Sequence, residues 1–144
     1  MDTMGEVGEM KALEVKRITP VLFVKKIEDV LHFWVERLGF AKTIEVPDGG
    51  RLGFVSLQKG STEVMYQTYA STDNLDPTMS EVARRGLTFL YVEVDDLDAV
   101  IAAMEDIAMV KPVDTTFYGM REFTVQEPGG HYVTFAQPIV TPTA

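Results

Sequence analysis

The sequence predicts an α+β protein built from two tandem β-α-β-β-β modules. The first observation behind this prediction is a repeat, because an apolar helical stripe in the first half recurs 70 positions later, as Leu97 follows Ile27. The first stripe consists of Ile27, Val30, Leu31, Trp34 and Leu38, and the second of Leu97, Val100, Ile101, Met104 and Ala108. The second observation is that the spacing of apolar residues changes on either side of each stripe. It goes from the β-rich runs of predicted strands to helical spacing and back again. One stripe covers only one face of a sheet, so we expect two curved mixed sheets whose other faces enclose a cleft.

The first module is predicted to span residues 18–69, after a leader at 1–17 that we expect to be mobile. Its helix begins near Lys26 and is ended by Gly39, a residue suited to a helix C-terminus. The predicted elements, in order, are a strand at Ile18–Val24, the helix at Lys26–Leu38, and strands at Phe40–Val46, Arg51–Gln58 and Thr62–Tyr69.

The second module is predicted to span residues 87–138, followed by a tail at 139–144. A polar run at Ala70–Thr78 indicates a linker, within a connecting region at 70–86 that also holds a short helix at Met79–Arg85. Alternating segments flank Glu127-Pro128-Gly129-Gly130, which predicts a closing β-hairpin. The module's predicted elements are a strand at Leu87–Val94, a helix at Asp96–Met109, and strands at Val110–Thr115, Arg121–Gln126 and His131–Gln137.

Composition excludes several classes of protein. The 144 residues contain no cysteine, which removes disulfides and thiolate ligands, and carry a net charge of −9 with few clustered basic residues. We therefore expect no nucleic-acid partner. The sequence has no apolar run of membrane-spanning length and no signal-peptide pattern at its N-terminus, so we expect no membrane partner and a cytoplasmic location.

Three stretches carry recognisable motifs: FVKKIEDVLHFWVERLGF, VEVDDLDAV, and the closing YGMRE with EPGGHYVTFA. Together they resemble the vicinal oxygen chelate superfamily, which includes glyoxalase I, bleomycin-resistance proteins and extradiol dioxygenases. The resemblance covers residues 18–138. It implies two paired modules that enclose a small-molecule cleft, and a homodimer.

The resemblance also aligns four positions with the metal ligands of metal-dependent relatives: Thr19, Glu63, Phe89 and Thr134. Phe89 has no donor atom and a threonine hydroxyl is a weak ligand, so we expect no metal and no cofactor. Glu63 is the one retained carboxylate and the one candidate catalytic residue. It is either a general base whose pKa is raised in an apolar cleft, or a carboxylate hydrogen-bonded near the rim, and we favour the second interpretation.

Strand alternation predicts which side chains line the cleft. Trp34 lies in the helical stripe and is interpreted as a core residue, and His131 as a turn residue. The predicted surface is aromatic and apolar with a few polar groups, and suits a partly apolar ligand bearing an amine or hydroxyl. The predicted ligand-binding residues are Thr19, Val21, Phe23, Phe54, Glu63, Met65, Gln67, Phe89, Tyr91, Glu93, Phe123 and Thr134.

Three functions are compatible with these features. The pattern favours a metal-free protein of the bleomycin-resistance type, which sequesters a small molecule and is not an enzyme. The first alternative is a metal-dependent lyase, isomerase or dioxygenase of the glyoxalase type that uses Glu63. The second is a degenerate member that serves as a scaffold without a ligand.

Overall fold

The first module forms a four-stranded sheet with one helical segment. The computed structural model describes residues 13–74 and 76–139. Its first strands are β1 (Val21–Val24), β2 (Ala41–Pro47), β3 (Leu52–Lys59) and β4 (Thr62–Thr68), arranged in the order β1-β4-β3-β2. β1 runs parallel to β4, and the other pairs are antiparallel. The intervening helix α1 (Glu28–Leu31) continues directly into a π-helical segment at His32–Arg37.

The second module repeats this arrangement. Its elements are β5 (Phe89–Glu93), α4 (Leu97–Ala103), β6 (Met109–Thr115), β7 (Met120–Gln126) and β8 (Tyr132–Pro138), and its sheet has the order β5-β8-β7-β6. Two short helices, α2 (Tyr69–Asp73) and α3 (Pro77–Ala83), connect the modules. The predicted α+β fold with two β-α-β-β-β modules is confirmed. In the part of the chain that the structure describes, no helix is long and apolar enough to cross a membrane.

Two element boundaries differ from the prediction. The region predicted as a linker is largely helical, because Thr68 and Asp76 each accept a hydrogen bond from a backbone N–H of the next turn and start α2 and α3. The helix predicted to reach Met109 ends at Ala103. Because the chain leaves the helix after Ala103, the Asp106 carboxylate can accept two hydrogen bonds from the Arg37 guanidinium, at 2.6 and 2.8 Å. Ala108, the last residue of the predicted stripe, consequently lies outside the helix and is exposed.

One core serves both modules. Ile27, Val30 and Trp34 of the first stripe are buried, as are Leu97 and Met104 of the second. Phe33, beside the first stripe, reaches across to Phe135 of β8, with 6.4 Å between the ring centroids. Each sheet therefore contributes one face to the shared core and leaves the other face, its open face, uncovered by that core.

The turn of the closing hairpin is inserted between the modules. The buried Glu127 carboxylate accepts hydrogen bonds from the Tyr66 hydroxyl at 2.5 Å and from the His131 backbone N–H at 2.8 Å. The Tyr66 oxygen accepts a further bond from Trp34 Nε1 at 2.8 Å. Because Tyr66 and Trp34 belong to the first module, this buried polar network joins the two halves.

His131 is buried within the same turn and is more than a turn residue. Its Nδ1 accepts a hydrogen bond from the Thr88 backbone N–H, and its Nε2 lies 2.9 Å from the Phe23 carbonyl oxygen. A carbonyl only accepts, so Nε2 is the donor and Nδ1 the acceptor in this arrangement. The imidazole thus bridges Thr88, directly before β5 of one module, and β1 of the other.

Candidate functional site: the open faces of the two sheets

The open face of the first sheet is formed by alternate residues of β1, β3 and β4. Strand register pairs Phe54 with Gln67 and Ser56 with Met65, and places Val21 beside Met65. Paired residues share a face, whereas Leu22, Val24, Val64 and Tyr66 point into the core. The predicted residues that lie on this face are Val21, Phe23, Phe54, Glu63, Met65 and Gln67, with Thr19 just before β1.

Glu63 is held on this face by three donors. Its Oε1 accepts hydrogen bonds from Arg17 Nη1 and Thr19 Oγ1, both at 2.9 Å, and its Oε2 accepts one from Ser56 Oγ at 2.5 Å. The hydrogen bond from Ser56, followed by those from Arg17 and Thr19, lowers the pKa of the Glu63 carboxyl below its usual value. This contradicts the interpretation of Glu63 as a general base with a raised pKa and agrees with the hydrogen-bonded carboxylate.

The open face of the second sheet is aromatic. Phe89 and Tyr91 project from the edge strand β5 and are 71% and 54% exposed. The Phe89 ring stacks on Tyr132 with 4.9 Å between centroids and 17° between planes. Tyr91 pairs with Thr134 and Glu93 with Ala136, so all the predicted residues of β5 and β8 lie on this face.

Glu122 occupies the centre of this second open face and was not predicted as a site residue. Its Oε2 accepts a hydrogen bond from the Tyr91 hydroxyl at 2.7 Å, and its Oε1 accepts one from the Tyr118 hydroxyl at 2.8 Å. The Lys111 ammonium lies 3.5 Å from Oε1. Burial opposes ionisation, but these partners outweigh it and lower the pKa of Glu122. Burial and the neighbouring carboxylate raise the pKa of the Tyr91 hydroxyl, and the hydrogen bond to Glu122 raises that of Tyr118.

The prediction of Phe123 as a cleft residue is wrong. Phe123 is fully buried in the core, where its ring lies 5.5 Å from that of Phe135. Register pairs Glu122 with Ala136 and Thr124 with Thr134, so the polar residues of β7 share the open face. The alternation in Arg121-Glu-Phe-Thr-Val-Gln126, with polar residues at every second position, carries the signal that identifies this face.

The four positions that align with metal ligands do not present a suitable donor set. Thr19 donates to Glu63, Phe89 stacks on Tyr132, and the Thr134 hydroxyl is 2.7 Å from the Thr124 hydroxyl. Within residues 13–74 and 76–139, no three histidine, aspartate or glutamate side chains are grouped closely enough to hold a metal ion. One carboxylate and two threonine hydroxyls fall short of the three good ligands that a catalytic divalent site needs.

Two cavities differ in their relation to the open faces. A pocket of about 220 Å³ lies at one end of the first open face and is lined by Val46, Phe54, Gln67, Ser71 and Asn74, among others. A groove of about 910 Å³ lies between the modules, and Glu93 is the one predicted residue that borders it. Size alone would favour the groove, but the exposed aromatic and apolar side chains and the predicted residues lie together on the open faces. We therefore take the open faces as the candidate site.

Comparison with known proteins identifies one family. The model of the Glyoxalase/Bleomycin resistance protein/Dioxygenase superfamily matches residues 15–135. No curated protein matches the sequence.

Several solved structures share the fold at low sequence identity. An antibiotic-binding protein, TnmS3 from Streptomyces sp. CB03234, is 20% identical with a TM-score of 0.65, over 88% of this chain and 99% of that one. The bleomycin-binding protein of bleomycin-producing Streptomyces verticillus, solved with copper(II)-bleomycin, is 23% identical with a TM-score of 0.60, over 90% and 100%. A lactoylglutathione lyase from Agrobacterium tumefaciens is 14% identical with a TM-score of 0.67, over 85% and 94%.

Proposed function

Because the chain belongs to the glyoxalase/bleomycin resistance protein/dioxygenase superfamily, we propose that its open faces bind a small, partly apolar molecule without a metal ion. The function is sequestration of that molecule, as in a drug-binding protein. The observation that carries the proposal is the chemistry of the faces. Exposed aromatic rings surround a carboxylate that is already hydrogen-bonded, and Glu63 is the one good metal donor among the four aligned ligand positions.

The two faces contribute different contacts to such a ligand. The first offers Val21, Phe23, Phe54 and Met65, an apolar surface whose flexible methionine adapts to shape. The second offers the rings of Phe89 and Tyr91 for stacking. Two structural neighbours are antibiotic-binding proteins by name, which is consistent with a ligand of this size and character.

We propose that the cleft is completed by pairing of modules, either within one chain or between the chains of a homodimer. Apolar side chains on the open faces, such as Val46 at 48% exposed and Phe89, favour a covering partner. Sedimentation velocity at micromolar concentration measures this directly. A monomeric protein would contradict the homodimer and leave pairing of the two modules within one chain as the arrangement that completes the cleft.

The binding function is tested by thermal shift with metal-free bleomycin and a panel of other antibiotics. We expect at least one compound to raise the melting temperature by several degrees, and Tyr91→Ala and Phe54→Ala to abolish that shift. Mass spectrometry should recover the compound unchanged. Ala103→Phe, on the groove side of the molecule, is the matched control and should retain the shift. Failure of every compound would contradict the proposal.

A second candidate, a metal-dependent lyase of the glyoxalase type, is favoured by the retained Glu63 and by the fold shared with a lactoylglutathione lyase. Calorimetric titration of metal-stripped protein with Mn²⁺, Ni²⁺ and Zn²⁺ separates the two functions. The metal-free function predicts no site-specific heat. A one-to-one micromolar site that disappears in Glu63→Ala would establish the enzyme instead.

A further inference from the structure

We propose that the groove between the modules is a second binding site, separate from the open faces, for a small amphipathic cation. Its volume of about 910 Å³ falls within the range of roughly 300–1,000 Å³ that is usual for small-molecule sites. The proposal rests on the origin of the groove in the repeat, on its apolar floor and on the charges at its rim.

The groove exists because the two halves of the repeat close their hairpins with turns of different length. Five residues, 127–131, separate β7 from β8, and this turn packs against Val24 and Val30. Two residues, Gly60 and Ser61, separate β3 from β4. Val94 and Val100 stand 70 positions after Val24 and Val30, yet they border the groove. The shorter turn leaves uncovered the surface that the longer turn covers in the other half.

The floor of the groove is apolar and lies on the core side of the second sheet. Alternation along β5 sends Val92 into the groove while Tyr91 projects to the open face. A ligand here would thus lie on the opposite side of the sheet from the ligand of the proposed function. The apolar side chains that line the groove are Leu38, Phe40, Val92, Val94, Val100 and Phe135.

The charged side chains at the rim favour a ligand of one charge over the other. Asp95 and Asp96, which follow β5, border one wall, whereas the Glu93 carboxylate belongs to the open face. The Arg37 guanidinium also borders the groove, but it is already bound by the Asp106 carboxylate and by the Ala103 carbonyl oxygen. This leaves Lys59 as the one cation at the rim without an ion pair to the residues that the structure describes. Two carboxylates against that one ammonium favour a ligand with an apolar body and a positive charge.

Two ions of nearly identical shape and opposite charge, tetraphenylphosphonium and tetraphenylborate, test both parts of the proposal. Calorimetry on the full chain should show one tetraphenylphosphonium ion bound, at least about tenfold more tightly than tetraphenylborate, a ratio equivalent to 1.4 kcal/mol. Equal affinity for the two ions, or no binding of the cation, would overturn the proposal.

Variants locate the binding. Ala103→Phe fills the groove from α4 and should weaken tetraphenylphosphonium binding more than tenfold. Ala99→Arg places a positive charge on the exposed surface of the same helix, and should weaken the cation several-fold while strengthening tetraphenylborate. The second variant keeps the test decisive if the first is unstable.

The matched control is Phe54→Ala on the first open face, which should leave tetraphenylphosphonium binding unchanged. Loss of binding in that variant and not in Ala103→Phe would place the cation on the open face and overturn the proposal. Binding that weakens as protein concentration rises would show that a second copy occupies the groove, which would also overturn it. The antibiotic-induced shift is expected to depend on Tyr91 and not on Ala103, so failure of the open-face site and failure of the groove site are recognised separately.

Discussion

The two hairpins that close the sheets occupy equivalent places in the repeat but end in opposite environments. The two-residue turn between β3 and β4 stays at the rim of a groove, and Lys59 and Gly60 border it. The five-residue turn between β7 and β8 enters the core and carries Glu127 and His131 with it. The long turn has three more residues than the short one. It covers an apolar surface whose counterpart in the repeat stays open, and it forms a buried joint between the modules.

Each hairpin also carries a carboxylate in or beside its turn, Glu63 in the first and Glu127 in the second, and these two are satisfied in different ways. Glu63 lies on the open face and is bound by a guanidinium and two hydroxyls. Glu127 lies in the core and is bound by a phenol and a backbone N–H, with no cation among these partners. The first keeps a half-exposed guanidinium and two hydroxyls as partners, so the loss of one donor leaves two in place. The second, bound by two neutral groups, depends on each of them remaining in place.

Removing the carboxylate of the long turn should have the largest effect. Glu127→Ala leaves the Tyr66 hydroxyl and the His131 N–H without their acceptor in the core, at about 1–3 kcal/mol each. We expect a loss of about 3 kcal/mol in the free energy of unfolding, measured in urea by the fluorescence of Trp34, the single tryptophan. The exposed Glu105 provides a control, since Glu105→Ala should change stability by less than about 0.5 kcal/mol. A similarly small change in Glu127→Ala would show that the buried joint between the modules contributes little to the free energy of unfolding.

Adding a methyl group to the long turn should have a smaller effect. A Cβ at Gly129 would lie 2.6 Å from Val24 Cγ1 and 3.0 Å from Val30 Cγ1. Gly129→Ala should therefore destabilise the fold by about 2 kcal/mol through overpacking. Gly86 has open space around it and no left-handed backbone, so Gly86→Ala should be neutral or slightly stabilising in the same urea titration. Equal stability of the two variants would mean that the turn accommodates the added methyl group without loss of stability.

Neutralising the carboxylate beside the short turn should have the smallest effect, visible only in acid. The folded-state pKa of Glu63 is lowered below its ordinary value of 4.5, so its contribution to stability is present above that value. The contribution is lost as the pH falls through the lowered pKa. The melting temperature of the wild type should consequently fall more steeply below about pH 4.5 than that of Glu63→Gln. Parallel profiles for the two proteins would contradict the assigned hydrogen bonds, and Glu105→Gln serves as the matched exposed control.

Much of the fold follows from periodicity in the sequence. The helical stripes predicted which residues are buried, as Ile27, Val30 and Leu97 show, because a helix with one apolar face has one way to pack on a sheet. Alternation likewise placed the predicted residues of β1, β4, β5 and β8 on the open faces. The prediction failed at β7, where Phe123 faces the core and its polar neighbours Glu122 and Thr124 lie on the open face.

The polar contacts within the site and the joint could not be predicted in the same way. Glu122 meets Tyr91 across 31 positions of sequence, and Glu127 meets Tyr66 across 61. Local patterns carry no information about which distant hydroxyl a carboxylate meets, since that depends on how the modules dock. The Pro-Gly-Gly sequence predicts a turn but not that Gly129 packs beneath a helix of the other module.

The bond from His131 Nε2 to the Phe23 carbonyl oxygen spans 108 positions of sequence, and this separation bears on how the chain is made. During synthesis, β1 and α1 leave the ribosome long before the turn that covers Val24 and Val30 exists. Part of the apolar surface of the first module therefore stays uncovered until the second module has been translated. Contacts of such long range also slow folding, because the chain must close a large loop before the joint stabilises it. We therefore expect the closing hairpin to dock late in folding, after the sheet of the first module has formed.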